Sequence, residues 1–376
     1  MGKEWTVHNP GGSRRVIVTK QLPGNRWLDM LVAADCAVEV CESDDVLSVD
    51  EIKERIGDRC DGVIGQLTED WNADLFAKLA AAGGTAYSKY AVGYNNVDVA
   101  GATAAGIPVG NTPGVLTETT AEMAVALTFA AGRRVVEADT FMRAGRFHGW
   151  LPTMYMGTRF YGATVGVIGC GRIGAAYARM MVEGFKMNLV YFDLYRNEHL
   201  EKFVDDYSQL LVAHGEDPVT CRRLETLEDV LRVADVVSLH TVLDDSTHHL
   251  INAERLAMMK DDAILVNSSR GPVVDEVALI EHCRTHPDFK AGLDVVEDEP
   301  DMKPGLVGLD NVVVVPHIAS ATVWTRQGMA TLAGANVAGI LQGYPLWQDD
   351  DVLPFLEGEA PQATPSIVNA ADLGDL

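Results

Sequence analysis

Apolar positions along this chain fall into short runs set between longer stretches of helical periodicity. In the first third, "RRVIVTK", "AVEVC", "DGVIGQL", "GTAYSKYAVG" and "GIPVGN" are strand-sized. Between them, "NRWLDMLVAA", "SVDEIKERIG" and "NADLFAKLAAAGG" repeat apolar residues at helical spacing. Ser48 with Glu51 forms a capping box at the start of the second, and glycine stops the third. A long amphipathic helix is predicted from Thr119 to Arg143, then a loop rich in glycine and aromatics, "AGRFHGWLPTMYMGTRFYG". From Ala163 a second series begins, with "ATVGVIG", "MNLVYFD", "DVVSLH", "AILVNSS", "AGLDVV" and "NVVVVP" as strands and helices between them. Another long helix runs from Ser320 to about Leu341, and the Pro-, Asp- and Ala-rich stretch from Tyr344 is expected to be irregular.

Strands alternating with helices imply parallel sheets covered on both faces. The chain therefore reads as α/β, with two Rossmann-like or flavodoxin-like doubly wound parallel-sheet domains, the second inserted into the first. The two long helices flank the inserted unit and are natural connectors and a hinge. A cleft between two such domains is a common place for a ligand.

Composition narrows the function classes. With 376 residues the chain can build two cores. Thirty Lys+Arg against 54 Asp+Glu give a net charge of −24, which repels phosphate backbones and argues against nucleic acid. An anionic substrate would need a local cation against that field. No apolar run is long enough for a membrane span, so no membrane partner is expected. The six cysteines form no C-x-x-C pair and read as free thiols in a reducing compartment, with no metal site indicated. "MGKEWT" fits the loose N-myristoylation pattern at Gly2, although a two-residue Met-Gly start also fits a cloning scar. There is no secretory signal pattern, and the last residues "LGDL" are not a peroxisomal tripeptide. The compartment is left open between an organelle matrix, peroxisome or mitochondrion, and the cytosol.

Candidate chemistry begins at "TVGVIGCGRIGAAYARM". Gly169, Gly171 and Gly174 follow an apolar strand and open a helix, the context that gives G-x-G-x-x-G its meaning. Such glycines permit a tight turn, close approach to a pyrophosphate and tight helix–strand packing. Nineteen residues past Gly174, Asp193 ends the next strand, where a carboxylate accepts ribose hydroxyls and repels a 2′-phosphate. This favours NAD(H), with NADP(H) a poorer substitute. Arg196 nearby weakens the preference because it could pair with a phosphate.

Three polar residues stand at later strand ends: Arg270 in "AILVNSSRG", Glu299 in "AGLDVVEDEP" and His317 in "VVVVPHIAS". Each has a dull reading alone: a surface arginine, a solvated acid, a core histidine. Together they offer an anion clamp, an acid/base and a carboxylate to orient it.

Arg270, Glu299 29 residues on and His317 18 further, all downstream of the glycine motif, resemble the D-2-hydroxyacid dehydrogenases. "NSSRG", "GLDVVEDEP" and "PHIASAT" are similar to the family's catalytic blocks, and "AVGYNNVD" and "GNTPGVLTETTAE" to its substrate-loop and hinge blocks. "GQLTEDW", "YARMMVEGFKMNLVYFDLY", "ERLAMMK" and "PSIVN" resemble the plant-type NADH-dependent hydroxypyruvate reductases of photorespiration. The resemblance implies a homodimer, with residues 1–118 and about 320–376 forming a substrate domain and 119–319 the NAD-binding domain. It implies that backbone amides of Val92 and Gly93 hold the substrate carboxylate. Cofactor contacts would come from Gly169, Gly171, Arg172, Ile173, Gly174, Asp193, Ser268, Ser269, Asp294 and the stretch from His317 to Ser320. Trp150 would reach across the dimer toward the partner's site.

The implied reaction is NADH-dependent reduction of hydroxypyruvate to D-glycerate, with glyoxylate as a slower substrate. Arg270 would clamp the carboxylate, His317 would donate the proton, and Glu299 would support the imidazolium. Thr241 stands where the family usually has proline, and Glu299 where its formate dehydrogenases have glutamine. The alternatives are another D-2-hydroxyacid dehydrogenase, such as a glyoxylate reductase, and an NAD-sensing co-repressor on the same fold.

Overall fold

The computed structural model describes residues 3–374, so the Gly2 pattern lies outside the described residues. The chain divides into two compact units: Met1–Leu116 with Ala321–Leu376, and Thr117–Ser320. The boundaries fall at the starts of the two long helices, of which Thr117–Gly132 packs in the second unit and Val323–Gln342 in the first.

The first unit carries β1 (Trp5–His8), β2 (Arg14–Val18), β3 (Cys36–Cys41), β4 (Gly62–Gly65), β5 (Ala86–Lys89) and β6 (Val109–Gly110). Their order is β1-β3-β2-β4-β5-β6, all parallel except β1, which pairs antiparallel with β3. Without β1 this is the flavodoxin-like order 2-1-3-4-5. Sequence reading did not find β1; only two of its residues are even half-buried, so its pattern is weak. The capping box at Ser48 forms, with the Ser48 side chain accepting from the Glu51 N–H and the Glu51 side chain accepting from the Ser48 N–H.

The stretch after Tyr344 is mostly irregular but firmly tied down. The Asn369 side chain accepts the Val109 N–H at 2.8 Å and donates to the Thr103 hydroxyl and the Ile107 carbonyl. Polar side chains, invisible to a hydrophobic-pattern search, do the anchoring.

The second unit is a seven-stranded, wholly parallel sheet: β7 (Thr164–Ile168), β8 (Asn188–Phe192), β9 (Cys221–Arg223), β10 (Val236–Leu239), β11 (Ile264–Asn267), β12 (Lys290–Leu293) and β13 (Val312–Val314). The order β13-β12-β11-β10-β7-β8-β9 is the Rossmann order 3-2-1-4-5-6 with one strand added. Strands β10, β11 and β12 are buried at every residue, whereas the edges β9 and β13 are only partly covered. That is why the central strands read as unbroken apolar runs. One core cluster, around Tyr177, Met181 and Leu127, includes the Thr117–Gly132 helix and the helix Arg172–Phe185. The other, around Leu231, Leu265 and Phe289, includes the helices Leu227–Val233 and Glu276–Thr285.

The helix expected from Thr119 to Arg143 is in fact two, Thr117–Gly132 and Val135–Arg143. Arg134 takes φ +52° at the break and pairs with Glu137. The Gly132 carbonyl accepts from the Thr158 N–H at 2.8 Å, so the returning loop takes a group that a longer helix would have used. A Cβ on Gly132 would lie 2.5 Å from the Phe160 ring. The loop therefore ends the helix through a close approach that periodicity along the chain cannot show. No helix among the described residues is long and apolar enough to cross a membrane.

Candidate active site

Strand β7 leads into Gly169, which takes φ +84° and brings its Cα against the His240 carbonyl; a Cβ there would sit 2.7 Å from it. Gly174 lies against the same turn, where a Cβ would be 2.0 Å from the Gly169 carbonyl oxygen. Gly171 is different. A Cβ on it would meet nothing within 4 Å, so the absence of a side chain is not required by the protein's own packing. It leaves open space at the start of the Arg172–Phe185 helix, where the N–H groups and positive dipole end favour a phosphate. Ile173 and Arg172 lie in the first turn of that helix.

Asp193 follows β8 and accepts the Cys170 N–H at 2.6 Å and the Tyr195 N–H at 2.9 Å, which ties it to the glycine turn. A carboxylate has about four acceptor positions, so two backbone bonds leave capacity for hydroxyls. Arg196 is engaged elsewhere: Glu201 accepts its Nε at 2.9 Å and Nη2 at 2.6 Å. That bond holds the Glu201 carboxyl below its usual range. Sequence reading missed Arg223, which donates from β9 to the Asp193 carbonyl at 3.0 Å. Its signal, a basic residue on a short edge strand, was too weak to find.

In the second unit, two buried hydroxyl oxygens past strand ends have no hydrogen-bond partner: Thr241 Oγ1 after β10 and Ser268 Oγ after β11. Buried polar groups are nearly always bonded. Thr241 lies against Gly169, and its orphan hydroxyl beside the open glycine turn fits a polar ligand such as a dinucleotide. Burial pushes the Cys170 thiol, inside the glycine turn, well above its usual value, so it is no nucleophile at neutral pH.

The three remaining strand ends converge within the same unit. Asn267 closes β11, and its Oδ1 accepts the Ser269 N–H at 3.0 Å and hydroxyl at 2.8 Å. Its Nδ2 donates to the Arg270 carbonyl at 2.8 Å. This turn, legible in hindsight from an Asn at a strand end, fixes where Arg270 leaves the sheet. The Arg270 guanidinium donates to the Ser269 carbonyl at 2.7 Å. Burial pulls Arg270 down from the usual arginine value, opposed by the nearby Glu299 carboxylate. His317 Nδ1 lies 2.9 Å from Glu299 Oε2, and Glu299 Oε1 also accepts the Val296 N–H at 3.3 Å.

Asp294 follows β12 and is buried, yet its side chain faces backbone. Its two oxygens accept the Ile318 N–H at 2.7 Å and the Ala319 N–H at 3.0 Å. Burial raises its carboxyl, and those two donors oppose the rise. It holds the stretch from His317 to Ser320, of which Ser320 is half-buried. In the first unit, Val92 and Gly93 are half-buried, and the Val92 carbonyl accepts from Asn111 Nδ2 at 2.9 Å. Trp150 is 78% exposed on the loop after the second helix of the broken pair.

A central parallel strand running into a glycine turn and helix, with an acid after the next strand, defines a dinucleotide-binding α/β domain. The family model for the D-isomer specific 2-hydroxyacid dehydrogenase NAD-binding domain matches residues 125–319, and the chain belongs to this family. It is 61% identical over 373 residues to the glycerate dehydrogenase of Cucumis sativus, covering 98% of each chain. It is 61% identical over 372 residues to the Arabidopsis thaliana protein named peroxisomal glycerate dehydrogenase HPR, covering 98% of this chain and 96% of that one. Among solved structures, the TT0316 protein of Thermus thermophilus matches with TM-score 0.77 at 38% identity, over 88% of this chain and 97% of that one.

Proposed function

We propose that this protein reduces hydroxypyruvate to D-glycerate with NADH, and glyoxylate more slowly. The observation that carries the reading is the 2.9 Å contact between His317 and Glu299, with Arg270 turned out of the neighbouring strand. The names of the plant relatives support the choice of substrate.

The overall change is hydroxypyruvate + NADH + H⁺ giving D-glycerate + NAD⁺. A bound reduced nicotinamide supplies the hydride. Gly169, Gly171, Arg172, Ile173 and Gly174 would hold its pyrophosphate, Asp193 the adenosine ribose, and Ser268, Ser269, Asp294 and Ser320 line the remainder. Arg270 pairs with the substrate carboxylate and polarises the C2 carbonyl, since its planar fork matches both oxygens. His317 donates a proton to the C2 oxygen from Nε2, the nitrogen not bonded to Glu299. Glu299 fixes the ring orientation and stabilises the imidazolium.

NADH is preferred over NADPH because Asp193 would face a 2′-phosphate while Glu201 keeps Arg196 occupied. A homodimer is proposed on a second ground. The helix Val135–Arg143 buries none of its residues, and Val135, Val136, Met142, Trp150, Leu151 and Met156 are all exposed. So much apolar surface on one segment marks a contact with another chain. An organelle matrix is the proposed compartment, in line with the name of the Arabidopsis relative, and microscopy of a fluorescent fusion tests it.

The test of function is NADH oxidation with hydroxypyruvate, glyoxylate and pyruvate, repeated with NADPH. Hydroxypyruvate with NADH should give the highest kcat/KM. A higher value for glyoxylate would replace the substrate, and NADH binding without turnover of any 2-oxoacid would overturn the enzyme reading.

A further inference from the structure

The sequence offers no cysteine-based metal site, yet the fold assembles another donor set. His248 and His249 lie in the turn between β10 and β11, and Glu297 lies 48 residues further along, past β12. One ligand atom from each lies within 4.8 Å of those of the other two. His249 Nε2 is 2.9 Å from Glu297 Oε1, and the two imidazoles stack with centroids 4.1 Å apart. Two imidazoles and a carboxylate are a donor set for a borderline cation of the Zn²⁺ class, with room for water as a fourth ligand.

The carboxylate is held in place from behind. Glu276, itself buried, accepts the Glu297 N–H at 2.7 Å, and Glu297 Oε2 accepts the Glu276 N–H at 3.2 Å. Such outer bonds hold a ligand oxygen where a metal can use it. The histidine side is fixed too, since the His249 N–H donates to the Pro272 carbonyl at 2.7 Å. His248 is exposed, so the site is open to metal from solvent. Lys303 Nζ stands 3.9 Å from Glu297 Oε1 and would oppose a cation, but it also bonds Asp298 at 2.6 Å, away from the donor set. That nearby charge argues for micromolar rather than tighter affinity.

The position matters more than the donor list. Gly271, next to Arg270, packs so closely that a Cβ would lie 1.8 Å from the Val296 carbonyl oxygen. The turn that carries Arg270 and the turn that carries Glu299 therefore touch; Glu297 lies on the second, and the backbone N–H of His249 ties the two histidines to the first through the Pro272 carbonyl. We propose that His248, His249 and Glu297 bind one Zn²⁺-class ion, which clamps the Arg270 turn to the Glu299 turn.

The test uses the full chain, stripped with chelator, and Zn²⁺ alone as probe in isothermal titration calorimetry. One Zn²⁺ per chain should bind at micromolar metal. His248→Gln should weaken it by at least about tenfold, the low end of what loss of even an outer-shell partner costs. His248 is exposed, so this variant keeps the fold, and it leaves Arg270, Glu299 and His317 untouched. Hydrogen exchange in residues 270–274 and 296–299 should slow on adding Zn²⁺ to the wild type and not to His248→Gln. No saturable binding, or equal binding by His248→Gln, would overturn the site, the latter because the ion would then be held by other residues. Unchanged exchange with Zn²⁺ bound would overturn the clamp. None of these readouts depends on which 2-oxoacid is reduced.

Discussion

The His317 N–H donates to the Asp294 carbonyl at 2.8 Å, while the Asp294 carboxylate accepts the next two N–H groups in the chain. Three bonds from one residue hold His317 at φ +51°, a left-handed conformation that a histidine rarely adopts unaided. The imidazole is thus set by Glu299 at its ring and by Asp294 at its backbone.

Replacing the imidazole and replacing its ring support should separate their roles. His317→Ala should lower kcat by about 10²- to 10⁴-fold, the usual range for a positioned proton donor. Glu299→Gln keeps the shape but not the charge, so it should lower kcat by less than His317→Ala does, through a less well held imidazole. Steady-state kcat for both variants checks this, and near-normal turnover in His317→Ala removes it from the mechanism.

The glycine turn makes opposite predictions for two neighbours. Gly171→Ala meets no protein atom, so its melting temperature should match the wild type while NADH affinity drops by roughly tenfold, about 1.4 kcal/mol. Gly174→Ala forces a Cβ to 2.0 Å from a carbonyl oxygen and should destabilise the fold by about 1–3 kcal/mol or more. Thermal unfolding and fluorescence titration with NADH read both quantities, and a Gly171→Ala variant with unaltered NADH affinity would move the pyrophosphate elsewhere.

Asp193→Ser deletes the charge that would repel a 2′-phosphate. The ratio of kcat/KM for NADPH to that for NADH should rise, chiefly through the KM for NADPH. Because Glu201 holds Arg196, adding Glu201→Gln should raise the ratio further by releasing that guanidinium. An unchanged ratio in both variants would argue that neither residue reads the ribose.

Acid stability should depend on His240, which packs beside Ser238 and Tyr177 and is pulled down to about 3 by desolvation. The unfolded chain takes up this proton near pH 6.5, the folded chain only near 3. Stability is therefore full above pH 6.5 and declines as the pH falls from 6.5 toward 3, by up to about 1.4 kcal/mol per unit. His240→Gln should flatten the slope of melting temperature against pH in that window, whatever its absolute stability. An equally steep slope would assign the acid loss to other groups.

The local sequence determined a good deal of this protein. A run such as "AILVN" reads as a buried strand, because each of its residues is covered on both faces. The glycine spacing was equally legible, since φ +84° at Gly169 and the contact at Gly174 are demands on single positions. The end of the helix at Gly132 was not, because it depends on Thr158 and Phe160 returning from a later loop.

Partner choice was likewise decided only in three dimensions. Four acidic residues lie within "DVVEDE", and along the chain they look interchangeable. In the fold Asp294 turns to backbone N–H groups, Glu297 to His249, Asp298 to Lys303 and Glu299 to His317. Sequence sets which charges are available and roughly where each strand ends. The direction of a side chain leaving a turn, and hence which cation or imidazole it reaches within about 3 Å, is set by packing among segments far apart in the chain.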